Sequence, residues 1–98
     1  MTMLISLLAM LSGAAPPPRP EEKAALDRQV KVEAQNLSQS PDDLEALYRL
    51  GLAYLSLGEP KKAVKPLESL VQKDSESIDG KLLLARALRL SNDPQKAK

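Results

Sequence analysis

The chain repeats itself at an offset of 34 residues, and this period limits the folds open to it. A shift by 34 gives five identities, Leu50 with Leu84, Ala53 with Ala87, Pro60 with Pro94, Lys62 with Lys96 and Ala63 with Ala97. A fixed period of this length is typical of stacked helical hairpins. The sequence therefore predicts an all-α fold.

The first repeat has the signals of a helix from its start to its end. Ser40 is expected to cap the amino terminus, with Pro41 at the first helical position and Asp43 completing a capping box. An apolar stripe follows at spacings of three and four, formed by Leu44, Leu47, Leu50 and Tyr54. Gly51 interrupts this stripe, which predicts close approach of a neighbouring helix.

Gly58 and Pro60 predict a short turn into a second helix, because glycine suits a helix end and proline a helix start. A short turn between two amphipathic helices gives an antiparallel hairpin. We expect a kink or a loosened first turn at Pro66. The inward face of the second helix is predicted to comprise Ala63, Val64, Leu67, Leu70 and Val71.

On these residues the segment resembles a tetratricopeptide repeat, a 34-residue helix-turn-helix unit. The resemblance assigns a structural role to Leu47, Leu50, Gly51, Tyr54, Gly58, Ala63 and Leu67, and in the second repeat to Leu84, Ala85, Leu88 and Ala97. Leu67, Leu70 and Ser75 depart from the family's usual aromatic, small residue and proline. The expected architecture is an α-solenoid of about one and a half repeats, residues 44–77 full and 78–98 partial.

The resemblance also implies a binding surface, since the family holds ligands on a concave face lined by first helices. Carried over by position, the partner-binding residues are Tyr48, Leu52, Leu55, Leu82, Arg86 and Arg89. The Lys and Asn residues that clamp a carboxylate in some members are missing, so chaperone-tail binding is not supported. Arg86 and Arg89 pair with an acidic group in one interpretation and are solvated surface charges in the other.

The composition excludes most catalytic schemes. The chain has no Cys or His, so it lacks a thiol nucleophile, the usual zinc ligands and the commonest general base. We expect no enzyme activity, no cofactor, no metal site and no small-molecule substrate. A net charge of +1 argues against nucleic acid as a partner. The charge is unevenly distributed, since acidic residues outnumber basic ones in residues 21–60 and basic residues outnumber acidic ones in residues 61–98. This asymmetry indicates either ordinary solvated faces or charge-steered association.

The first fifteen residues are typical of a signal peptide. Residues 4–11 are apolar, small residues follow, and cleavage after Ala14 fits because Pro16 disfavours cutting before it. No Lys or Arg precedes the apolar run. The prediction is a periplasmic or secreted protein, with a membrane association through an uncleaved amino terminus and a short core helix as alternatives. Residues 16–20 are a Pro-rich linker.

Residues 21–39 are predicted to form a capping helix with Leu26, Val30, Ala34 and Leu37 on one face. Downstream, the helix from about Ser77 to Leu90 is apolar on more than one face, and no later full helix follows to cover it. These features lead to two hypotheses. The chain is an adaptor or scaffold that binds another protein or peptide in a bacterial envelope assembly, or it is a fragment or self-associating structural unit without an independent ligand.

Overall fold

Four α-helices make up the computed structural model, which describes residues 17–92. They are α1 (Pro20–Gln39), α2 (Leu44–Ser56), α3 (Pro60–Lys73) and α4 (Ile78–Ser91). Each helix packs on its neighbours in sequence, and α2 also contacts α4. The all-α fold of successive antiparallel hairpins is thereby confirmed. The predicted signal peptide, Pro16, Pro94, Lys96 and Ala97 lie outside the described residues.

Helix α1 begins at Pro20, one residue earlier than the predicted linker allowed. Proline loses no hydrogen bond at a first helical position, and Glu21 and Glu22 in the first turn suit the positive end of the helix dipole. Leu26, Val30 and Leu37 are half-buried as predicted. Ala34, placed on the same face by the sequence, is exposed, and the buried residue is Glu33.

Helix α2 is capped by Asp43, which corrects the prediction for Ser40. The Asp43 side chain accepts a hydrogen bond from the Ala46 amide at 3.1 Å. Ser40 and Pro41 precede the helix, and the Ser40 carbonyl accepts from the Asp43 amide at 3.1 Å in a turn. Asp43 is therefore the residue that sets the helix start.

The end of α2 is a Schellman motif around Gly58, whose φ is 75°. The Glu59 amide donates to the Tyr54 carbonyl at 2.9 Å, and the Gly58 amide donates to the Leu55 carbonyl at 3.1 Å. Glycine adopts this positive φ without strain. The predicted helix end at Gly58 is confirmed.

Helix α3 provides the centre of the core. Ala63 and Leu67 have no exposed surface, Leu70 is buried, and Val64 and Val71 are half-buried. The helix runs without interruption past Pro66 to Lys73, although proline removes one backbone hydrogen bond. The predicted inward face of this helix is confirmed.

Helix α4 packs its Ala87 and Gly80 against α3. A Cβ built on Gly80 would lie 3.0 Å from a terminal carbon of Leu70, so the two helices approach closely. Ser77 caps the helix by accepting a hydrogen bond from the Gly80 amide at 3.0 Å. Because Asp43 and Ser77 are 34 residues apart, the two repeats begin their first helices at equivalent positions.

Candidate interaction site

The residues predicted to bind a partner lie on matching faces of α2 and α4. Tyr48, Leu52 and Leu55 are spaced by four and three residues on α2. This spacing places the three side chains on one side of a helix. Their counterparts 34 residues later are Leu82, Arg86 and Arg89 on α4. Helices α2 and α4 contact each other, and Tyr48 lines one cleft together with Ser77 and Asp79 at the start of α4.

These six side chains differ in how deeply they are buried. Tyr48 and Leu55 are half-buried and pack against the core. Leu52, Leu82, Arg86 and Arg89 are exposed. The two half-buried residues therefore form a fixed floor, whereas the exposed leucines and arginines are available for contact.

An open cleft of about 440 Å³ lies where α2 begins, α3 ends and α4 begins. Tyr48 is the one predicted partner-binding residue that lines it, and the other lining residues are Leu44, Glu45, Arg49, Leu70, Asp74, Ser77 and Asp79. Leu70, Asp74 and Ser77 come from the end of α3 and the following connection. Reasoning from first-helix positions alone missed them.

Carboxylates dominate the rim of this cleft. Glu45, Asp74 and Asp79 line it together with a single basic residue, Arg49. The Arg49 guanidinium lies 3.6 Å from Glu45 and 4.0 Å from the buried Glu33, so its charge is balanced within the chain. The cleft thus presents an apolar floor with an acidic rim, and it favours basic rather than acidic groups.

The residues of the repeat signature divide into packed and unpacked groups. Leu47, Leu50, Gly51, Ala63 and Leu67 are buried, Tyr54 and Leu84 are half-buried, and Gly58 forms the turn. Ala85 and Leu88 are exposed. Most of the packed signature residues belong to the first repeat, and Leu84 of the second repeat also packs against the core.

Within residues 17–92 no group of three or more His, Cys, Asp or Glu side chains is placed to hold a metal ion. None of the four helices has the length and hydropathy needed to cross a bilayer.

Antiparallel helices paired by short turns, repeated at a 34-residue interval and carrying an open cleft, define a helical-hairpin repeat protein. Residues 45–77 match the family model described as tetratricopeptide repeat. This match confirms, over residues 45–77, the resemblance drawn from the sequence. No curated protein and no solved structure matches the chain.

The matched family describes a non-catalytic module, and no enzyme family was found. A tetratricopeptide repeat implies protein binding in general. The match over residues 45–77 thus suggests a protein-interaction module, and it identifies no specific partner.

Proposed function

We propose that this chain is an adaptor or scaffold that binds a helix or extended peptide of another protein along the α2–α4 face. The observation that supports it is that α2 carries the exposed Leu52 on the same side as the half-buried Tyr48 and Leu55, and that α4 carries the exposed Leu82 at the position equivalent to Tyr48. Fixed aromatic and aliphatic side chains beside exposed leucines are features of binding hot spots. The acidic rim of the adjoining cleft selects a ligand with Lys or Arg.

We further propose that the protein acts after export, in a bacterial envelope assembly. The support is in the sequence: residues 4–11 are apolar and the small residues 12–15 precede the Pro-rich linker.

Site-specific photo-crosslinking tests the binding face. A crosslinking amino acid at Leu52, exposed on α2, is expected to trap a partner protein in cells. Gln72, exposed on α3, is the matched control and is expected to trap none. The double variant Tyr48→Ala with Arg86→Ala should lower the yield at position 52 about tenfold. Equal yields at the two positions would contradict the proposed face.

Amino-terminal sequencing of the mature protein tests the export proposal. Cleavage after Ala14 is the expected result, with the product in the periplasmic or secreted fraction. An intact amino terminus in the membrane fraction would instead support the uncleaved anchor.

A second candidate function is a self-associating structural unit, favoured by the exposed leucines and isoleucine of α4. Ile78 is 71% exposed and Leu82 63%, and Leu88 and Leu90 are also exposed. Exposed apolar strips of this kind mark association surfaces. Light scattering decides between the candidates, since a folded monomer at high concentration excludes self-association.

A further inference from the structure

Helix α4 carries an exposed strip along which the charge changes sign. Asp79, Leu82, Arg86 and Arg89 are spaced by three, four and three residues, so they share one side of the helix. All four side chains are exposed, and Leu82 is 63% exposed. We call these four residues the α4 strip. It is acidic at its start, apolar in its middle and basic at its end.

The acidic end of the α4 strip continues into the cleft between α2, α3 and α4. Asp79 lines that cleft together with Glu45 and Asp74, and the exposed Glu76 lies in the same connection between α3 and α4. The amino termini of α2 and α4 each contribute about half a positive charge there. Arg49 contributes one more, so the four carboxylates leave this end of the molecule negative.

This order of charge is complementary to itself about a two-fold axis. In an antiparallel pair of identical helices, residues at equal distances before and after the axis lie opposite each other. For an axis just after Leu82, Asp79 lies about one helical turn before it and Arg86 about one turn after it. Asp79 of each copy is then opposite Arg86 of the other, and the two Leu82 side chains meet at the axis. A parallel pair would place like charges opposite each other.

We propose that the α4 strip binds the α4 strip of a second copy of this chain, antiparallel and about a two-fold axis at Leu82. Two equivalent ion pairs between Asp79 and Arg86 flank the paired leucines. The same register brings Arg89 of one copy towards Glu76 of the other, next to the acidic cleft. This inference rests on the second candidate function, self-association, and names the surface responsible for it.

Helix α2 does not offer an equivalent surface for self-pairing. It has Leu52 at the position of Arg86. In the same register, two copies of α2 would place Glu45 opposite Leu52 and bring both Arg49 side chains close to the axis, where like charges repel. Pairing of α2 with α4 would leave Asp79 opposite Leu52. Pairing of α4 with α4 is the arrangement that matches charge at both ends.

The pairing is expected to be weak because the α4 strip is short. Helix α4 has 14 residues and is therefore about 21 Å long. A contact of this length lies at the low end of the areas that protein interfaces bury. We expect a dissociation constant on the order of 10 micromolar. The dimer should weaken with added salt, since its ion pairs are close to solvent.

Charge reversal in the full chain tests the pairing, with sedimentation equilibrium as the measurement. Asp79→Arg alone and Arg86→Asp alone should each weaken the dimer at least about tenfold, because each sets like charges opposite one another. Mixing the two variants should produce a heterodimer, since every arginine at these positions then faces an aspartate. The doubly reversed chain should dimerise to within about threefold of the parent.

Matched controls change the same kinds of charge elsewhere. Lys81→Asp, exposed on a different side of α4, and Glu68→Arg, exposed on α3, should leave the dimer unchanged. Leu82→Glu should separate the copies by placing two carboxylates at the axis, and the fold tolerates this change because the side chain is 63% exposed. Circular dichroism of each variant checks that its helices are retained.

A chain that stays monomeric well above micromolar concentration, or a dimer that survives both single reversals, would overturn the proposal. Failure of the mixed variants to form a heterodimer would do the same. A monomer would also remove the second candidate function, whereas a dimer insensitive to these charges would leave that function standing. Trapping of a different protein at Leu52 is a separate measurement, so the adaptor proposal does not depend on this result.

Discussion

Helices α2 and α4 occupy the same place in successive repeats, yet they are covered differently. Ala46 and Ala53 are buried on α2, and so are their counterparts Gly80 and Ala87 on α4. Gly51 is buried whereas its counterpart Ala85 is exposed. Both helices thus pack on the helix before them, and in the described part of the chain only α2 is covered by the helix after it. The comparison teaches that each first helix has two packing faces with separate sequence requirements.

The strongest test compares a fully covered leucine with an uncovered one. Leu67→Ala should lower the free energy of unfolding by about 2–5 kcal/mol, because Leu67 has no exposed surface and its removal leaves a cavity. Leu82→Ala, at a side chain 63% exposed, should change it by less than about 0.5 kcal/mol. Urea denaturation measures both, and similar losses would contradict the described packing.

The next test exchanges the residues that differ between the two faces. Gly51→Ala should be destabilising, because overpacking against Leu67 costs about 1–3 kcal/mol and the gain in helix propensity offsets at most about 1 kcal/mol of it. In a Leu67→Ala background the same change should become neutral or stabilising, since the clash is gone. Thermal and urea unfolding of the four chains gives the coupling. An additive result would show that Gly51 and Leu67 do not touch.

Removing the helix cap should destabilise the chain equally in the two repeats, because Asp43 and Ser77 cap their helices in the same way. Asp43→Ala and Ser77→Ala should each cost about 1 kcal/mol, because each side chain accepts one otherwise unpaired helix amide. Urea unfolding measures both variants, with Ser69→Ala, inside α3, as a control. A large difference between the two would show that their helix starts are not equivalent.

The smallest effect on stability is expected from the exposed ion pair of Arg19 and Glu22. A hydrogen bond from Arg19 lowers the pKa of the exposed Glu22 below its ordinary value of 4.5. The contribution of Glu22 to stability is therefore present above that ordinary pKa and lost as the pH falls through the lower folded-state pKa. The melting temperature of Glu22→Gln should lie slightly below that of the parent at pH 6 and approach it at pH 3.

Circular dichroism follows these melts, and Glu68→Gln, at an exposed position of α3, is the control. A larger difference at pH 3 than at pH 6 would contradict the sign of this shift.

Much of the fold follows from the 34-residue offset, because apolar spacing and turn residues act locally. Gly58 predicts the end of α2, and Gly51 predicts the close approach of α3. The prediction that Ser40 caps α2 was wrong because serine and aspartate both cap helices, and the choice between them depends on the turn geometry. The prediction that Ala34 lies on the packed face of α1 was wrong because the face that packs on α2 passes through Glu33. The carboxylate of this buried residue contacts Asn36 and Arg49.

The candidate site could be predicted only in part. The positions of Tyr48, Leu52 and Leu55 on one side of α2 follow from helical periodicity. The presence of Leu70, Asp74 and Ser77 in the cleft does not follow, because it depends on how the end of α3 meets the start of α4. Partner binding by any of these residues stays a prediction.

The buried carboxylate of Glu33 has a consequence for the order in which the molecule comes apart. Helix α1 contributes half-buried Leu26, Val30 and Leu37 to the structure, and its one buried side chain is this acid. Detaching α1 rehydrates a carboxylate and exposes modest apolar area, whereas separating α2 from α3 would open the central leucine cluster. We therefore expect the amino-terminal helix to open at a lower free energy than the α2–α3 hairpin, and its amides to exchange with solvent before those of the hairpin.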